Sequence, residues 1–261
     1  MAQERPLILV SNDDSVEAPG FHHLIEAVGE FGDVIGVAPS APRSGQSSAI
    51  TVSTALRIFE DERFSTPETP IYSVNGTPVD CIKLAMHAIV PRRPSLVLAG
   101  MNHGSNSAVN VIYSGTMGAV IEGCLLGIPS IGFSLLSHSW KADLAPSTSV
   151  IKQVVKMVME KGLPAGVCLN VNIPAHCESL GIKVTRAARG YWTDEYADYT
   201  DPAGKPFYWL AGSFNNLEPE SDDTDEYWLA RKWATIVPER VDMTALDVID
   251  SLKTQLERSE S

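Results

Sequence analysis

Short β-rich apolar runs alternate with amphipathic helical runs through the first two thirds of this chain. Parallel strands need long crossover connections, and helices supply them. The alternation therefore predicts an α/β fold: a Rossmann-like, doubly wound and mostly parallel sheet covered by helices. Leu7-Ile8-Leu9-Val10 reads as a buried strand. Phe21, Leu24, Ile25 and Val28 keep helical spacing up to Gly29 and Gly32, and residues 34–38 form the second strand. Strand-like pieces follow at residues 50–58 and 71–74. Thr77-Pro78-Val79-Asp80 then has the makings of a helix start, with Thr77 as cap, Pro78 at the first helical position and Asp80 facing the dipole.

Leu96-Val97-Leu98-Ala99 is a further buried strand. Ser114 opens a helix in which Met117, Val120, Ile121, Cys124 and Leu125 share one face, and residues 130–134 return to the sheet. Val150, Ile151, Val154, Val155 and Val158 mark another helix, closed by Gly162 and followed by a strand at 167–172. Beyond about residue 180 the character changes. Residues 183–187 are strand-like, and segments 191–199 and 206–211 flank the turn Asp201-Pro202-Ala203-Gly204. This predicts an aromatic-rich β-hairpin arm. An acidic loop at 218–226, a strand at 234–237 and a terminal helix at 244–258 complete the chain.

The division expected is a metal- and phosphate-binding core over residues 1–180 and an oligomerisation region over 181–261. The arm carries Tyr191, Trp192, Tyr196, Tyr199, Phe207, Tyr208 and Trp209. That much exposed aromatic surface predicts burial in a homodimer or homotetramer. So does the apolar seam of Ala245, Ile249, Leu252 and Leu256 on the last helix. The alternative is that arm and helix fold back on their own domain.

Composition narrows the function classes. The formal net charge is −12, a field that repels long nucleic acid while leaving room for a small phosphorylated ligand at a local cation. No apolar run is long enough for a membrane span, and the N-terminus lacks signal-peptide architecture, so the expected compartment is the cytoplasm. Cys81, Cys124, Cys168 and Cys177 show no CxxC spacing and read as small core residues.

Three polar loops follow predicted strands, where ligands of open parallel sheets bind. Ser11-Asn12-Asp13-Asp14 puts two adjacent carboxylates at a strand end. They suit a hard cation such as Mg²⁺ or Mn²⁺, or else form a solvated turn. The second loop, residues 39–48, is rich in hydroxyls. Its Ser44-Gly45 step can offer a hydroxyl and an amide to phosphate or metal, and Arg43 could pair with phosphate or lie in solvent. The third, Gly100 to Asn106, offers neutral amide oxygens. Its His103 reads either as acid or ligand, or as a loop histidine without catalytic duty. Tyr113-Ser114-Gly115-Thr116 opens a helix whose free amides suit a phosphate, although Ser114 is equally an ordinary N-cap. Neither a P-loop nor a GxGxxG after the first strand is present.

Together these motifs resemble the SurE (survival protein E) nucleotidases. The likeness is carried by Ile8 to Asp14 with Ala18-Pro19-Gly20, by Ala38-Pro39 with Arg43-Ser44-Gly45, and by Gly76-Thr77-Pro78-Val79-Asp80-Cys81. Asn102, Gly104 and Asn106, then Tyr113 to Thr116 with Glu122-Gly123, and Asn170-Val171-Asn172-Ile173-Pro174 extend it, with a looser echo at Asp223-Thr224-Asp225. The resemblance implies a 5′/3′-nucleotidase that hydrolyses nucleoside monophosphates. It implies one divalent ion per subunit, Mg²⁺ or Mn²⁺, held by Asp13, Asp14, Ser44 and Asn102. It implies phosphate contacts at Ser44, Gly45, Asn106, Ser114, Gly115 and Thr116, and subunits that exchange C-terminal elements. The family pattern usually has glycine where this chain has Ser15, which predicts a different turn there. Asp13 and Asp14 are the expected catalytic pair, anchoring the ion and activating water. The rival readings are Asp13 as a nucleophile forming an aspartyl-phosphate, and a nucleotide-binding regulator without turnover.

Overall fold

The structure, a computed structural model, describes residues 4–175 and 179–259. In chain order it begins β1 (Leu7–Ser11), α1 (Pro19–Val28), β2 (Asp33–Pro39), β3 (Ile58–Glu60), β4 (Ile71–Val74) and α2 (Pro78–Leu84). There follow β5 (Leu96–His103), α3 (Gly115–Leu125), β6 (Ser130–Leu135), α4 (Thr148–Lys161), β7 (Val167–Ile173) and β8 (Ile182–Val184). The arm comprises β9 (Gly190–Thr193), β10 (Tyr196–Thr200), β11 (Pro206–Leu210) and β12 (Ser213–Asn216). The chain ends with α5 (Asp225–Leu229), β13 (Ala234–Arg240) and α6 (Ile249–Ser259).

One sheet has the order β3-β4-β2-β1-β5-β6-β7-β13-β8. Its six central strands are parallel. The chain winds outward from β1 through β2 to β4, then returns past β1 to β5 and winds the other way. The loops after β1 and β5 therefore open side by side where the strand order reverses.

β1, β2 and β5 are buried on both faces, which is why the runs 7–10, 34–38 and 96–99 contain no charged or polar side chain. Ile8 and Val10 of β1 pack under α1 and α4, while Leu7 and Leu9 pack under α2 and α3. Because α4 lies on the face opposite α3, the β6-α4-β7 crossover has the opposite hand to β5-α3-β6. Nearly all such crossovers share one hand, so this is an uncommon connection. The expected cap of α2 is present: Thr77 accepts from the Asp80 amide while the Asp80 carboxylate accepts from the Thr77 amide.

Several sequence expectations need correction. Residues 50–57 form no strand. Side chains hold their backbone instead, Asp80 accepting from the Thr51 amide at 3.1 Å and Asn75 Oδ1 from the Arg57 amide at 2.7 Å. Leu125 is exposed, so it does not share the buried face of α3. That face uses small residues to lie close to the sheet, and a Cβ on Gly123 would come within 2.5 Å of Ser130 Oγ. The strand expected at 183–187 ends at Val184 and continues only as an isolated bridge between Arg186 and Thr224. The acidic loop contains α5, capped by Thr224. The arm is two ladders in series: β9 pairs β12 and β10 pairs β11. Cys81, Cys124 and Cys168 are buried free thiols, and Cys177 lies outside the described residues. Among the described residues no helix is long and apolar enough to cross a membrane.

Candidate active site

The turn after β1 is tied internally by Asn12 Nδ2, which donates to the Ser15 carbonyl at 2.8 Å. Ser15 has φ 96°, a region that favours glycine. The serine thus adopts a glycine-type turn under strain instead of the different turn expected. The fold brings Asp13 and Asp14 into near-complete burial, 3% and 7% exposed. The Asp14 carboxylate accepts from the His103 amide at 2.9 Å, and Asp13 accepts from the Thr116 hydroxyl. Burial, reinforced by the Asp14 charge, pushes the Asp13 carboxyl up to about 7. Burial also raises Asp14, against the opposing His103 amide bond. The ion pairs found among the described residues all lie elsewhere, so no Lys or Arg neutralises either carboxylate.

The second loop reaches this pair through the Arg43 amide, which donates to the Asp13 carbonyl at 2.7 Å. Gly115 lies beneath the junction, where a Cβ would come within 2.8 Å of Asp13 Cβ. The Arg43 guanidinium turns toward the Asn75 carbonyl, 3.5 Å away.

β5 runs four residues beyond the expected strand, with a bulge between Ala99 and Asn102, so Asn102 and His103 still belong to the sheet. Asn102 Nδ2 donates to the Gly104 carbonyl at 2.8 Å, leaving Oδ1 as a neutral oxygen donor. His103 Nε2 accepts from the Gly20 amide at 3.3 Å, and Nδ1 faces the Ser139 carbonyl at 3.2 Å. Main-chain groups thus take both ring nitrogens, which fits the structural reading of this histidine. Ser114 caps α3, its Oγ accepting from the Met117 amide at 3.1 Å.

These loops enclose a cavity of about 530 Å³. Asp13, Ser44, Gly45, Asn102, Asn106 and Ser114 line it; Asp14, Gly115 and Thr116 do not. Gly115 and Thr116 instead pack against and hold Asp13. Among the described residues no three His, Cys, Asp or Glu side chains converge. The donor set is therefore two carboxylates with hydroxyl and amide oxygens, the chemistry of a hard cation. Two adjacent buried acids without a basic partner fit such an ion, because uncompensated carboxylates at that depth are costly.

The family described as Survival protein SurE matches residues 8–194. A 5′-nucleotidase SurE of Christiangramia forsetii is 47% identical over 259 residues, covering 97% of this chain and 98% of that relative. One from Phocaeicola vulgatus is 45% identical over 253 residues, covering 97% and 98% respectively. The chain belongs to the SurE family. A crystal structure of the SurE protein from Aquifex aeolicus superposes with a TM-score of 0.82 at 34% identity, covering 96% of this chain and 99% of that one.

For this SurE-family chain, sequence reasoning left several site-shaping residues without a role. Asn172 Oδ1 accepts from the Asn106 amide at 2.8 Å and Asn170 Nδ2 donates to the Asn106 carbonyl at 2.8 Å, so β7 fixes that loop. The alternate polar residues Asn170 and Asn172 in an apolar strand were the available signal. Asp225, fully buried, accepts from the amides of Ala108 and Ala188, each at 2.8 Å. It thereby ties the Asn106 loop to the root of the arm. Trp192, Glu195, Leu210 and Ala211 of the arm line the cavity, as does His138. The sequence marks Trp192 only as an arm aromatic expected at a subunit interface and assigns the others no role, since the arm's path over the site is a tertiary feature.

Proposed function

We propose that this protein is a divalent-metal-dependent phosphomonoesterase that hydrolyses nucleoside 5′- and 3′-monophosphates to nucleoside and phosphate in the cytoplasm. The observation that carries the reading is the unneutralised pair Asp13 and Asp14, with Asp13 opening into a cavity beside the neutral donors Ser44, Asn102, Asn106 and Ser114. The relatives' name, 5′-nucleotidase SurE, supports the nucleotide class of substrate.

Asp13, Asp14, Ser44 and Asn102 would hold the ion, one per subunit, either Mg²⁺ or Mn²⁺. When bound, it would supply positive charge to the phosphoryl oxygens and make a nearby water more acidic. The Ser44-Gly45 step, Asn106 and the Ser114 hydroxyl bind the phosphoryl group and orient it for in-line attack. Asn106 is itself rigid, since its Nδ2 donates to Ser134 Oγ at 2.8 Å and β7 holds its backbone. One of the two carboxylates orients the attacking water and takes its proton, and the nucleoside departs as an alcohol. Thr116 and Gly115 keep Asp13 in place.

The test is phosphate release from a panel of 5′- and 3′-mononucleotides with Mg²⁺ or Mn²⁺, against EDTA controls. Turnover that survives EDTA, or binding of nucleotides without any release, would overturn the proposal. Acid quench followed by mass spectrometry is expected to find no phosphorylated Asp13; a stoichiometric adduct would replace water attack with an aspartyl-phosphate route.

A further inference from the structure

The phosphate-facing groups occupy only part of the cavity. Its volume of about 530 Å³ is far more than one phosphoryl group needs and falls in the range of a small-molecule site. The remaining wall includes Asn110, Tyr113 and His138 and, from the arm, Trp192, Glu195, Leu210 and Ala211. The arm reaches the cavity because it bends between its two ladders. Asp194 at φ 53° and Gly212 at φ 106° form the bend, and a Cβ on Gly212 would come within 2.8 Å of the Thr193 carbonyl. The Ala211 amide donates to the Glu195 carbonyl at 2.8 Å, closing the corner. Glu195, Leu210 and Ala211 are the residues of that corner. Strained backbone of this kind persists where the surroundings enforce it, often beside ligands.

Trp192 is oriented as well as placed. Its indole Nε1 donates to Asn110 Oδ1 at 2.9 Å, and Phe214 meets the ring edge-on with centroids 6.3 Å apart. A half-buried indole that is fixed at its edge and lines a cavity offers its face to a planar guest. We propose that this wall is the nucleoside subsite, with the Trp192 indole, positioned by Asn110, as the platform on which the base stacks. Stacking on a π-face tolerates every base, so the platform selects base-bearing phosphates over baseless ones. Leu210 and Ala211 give the wall an apolar edge beside it, and Glu195 presents an acceptor-only carboxylate toward the donors of a nucleoside.

This rests on the phosphomonoesterase reading, and the experiment separates the two. The ratio of kcat/KM for AMP to that for ribose 5-phosphate is measured with Mn²⁺ in wild type, Trp192→Ala and Trp192→Phe. Alanine is expected to lower the ratio roughly ten-fold, the loss of one base–aromatic stack, and phenylalanine to keep it within about three-fold of wild type. An equal loss on both substrates, or phenylalanine no better than alanine, overturns the subsite. Adenosine titrated in EDTA should quench indole fluorescence in wild type and not in Trp192→Phe. Quenching without phosphate release would retain the subsite and discard the phosphatase; no difference in quenching between the two proteins would discard the subsite itself.

Discussion

Asp13 concentrates the energetics of the site in one carboxyl group. Its folded pKa near 7 lies above the ordinary aspartate value of about 4, so the metal-free fold holds a proton that the unfolded chain releases. Its contribution to stability is fully present below about pH 4 and is lost as pH rises through about 7. Metal-free wild type should therefore melt lower at pH 8 than at pH 6. Asp13→Asn should flatten that difference while abolishing most turnover at saturating Mn²⁺. Calorimetry in EDTA checks the first, and a variant with near wild-type turnover would remove Asp13 from the reaction. Ser114 carries two duties at once. Ser114→Ala should lose about 1 kcal/mol of stability through the α3 cap. It should also weaken inhibition by inorganic phosphate ten-fold or more, since a hydrogen bond to a charged group contributes roughly 1.5–3 kcal/mol. Unchanged phosphate inhibition would leave only the capping duty.

At the scale of elements, the arm hangs from a root held by charge. The Glu218 carboxylate is shared between Arg186 and Arg189, with Arg189 Nη2 at 2.9 Å. The Arg186 hydrogen bond, helped by the Arg189 amide, holds Glu218 down to about 2. A depressed acid contributes stability above its unfolded pKa, near 4.5, and loses it as pH falls toward 2. Glu218→Gln should therefore remove part of the acid-induced loss of structure between about pH 4.5 and 2, followed by circular dichroism. An unchanged acid transition would show that the root draws its stability from Asp225 and packing. The same scale explains α3: Ala119 and Gly123 set the helix close to the sheet, Gly118 lets the Ser47 backbone pass over it, and its first turn then meets Asp13.

For the whole molecule, the arm poses the question of assembly. Tyr196, Tyr208 and Trp209 are each more than half exposed in the β10-β11 ladder, and an isolated pair of strands is marginal in water. Leu252 and Leu256 of α6 are exposed too. We expect these surfaces to be covered by a second subunit, giving a homodimer or larger symmetric oligomer. Light scattering at low micromolar concentration should report a multiple of 28.2 kDa, and Tyr208→Ser with Trp209→Ser should shift it toward the monomer. A fully active wild-type monomer would refute the expectation.

The sequence by itself determined the parallel sheet, because strands such as 7–10 and 96–99 are apolar on both faces and are joined by helical periods. It also marked Asp13, Asp14, Ser44, Asn102, Asn106 and Ser114, because each sits near the carboxyl end of a strand or at a helix start. Other features were decided only in three dimensions. A stripe of apolar residues on α3 could not reveal that glycines would carry the contact, since close approach is a property of two surfaces. Thr116 looked like a phosphate ligand and turned out to hold Asp13, because a side chain's direction depends on what packs around the helix. The reversed hand of the α4 crossover and the bend that brings Trp192 over the cavity both depend on contacts between residues far apart in the chain. Local pattern carries no record of such contacts, and only the folded chain brings them together.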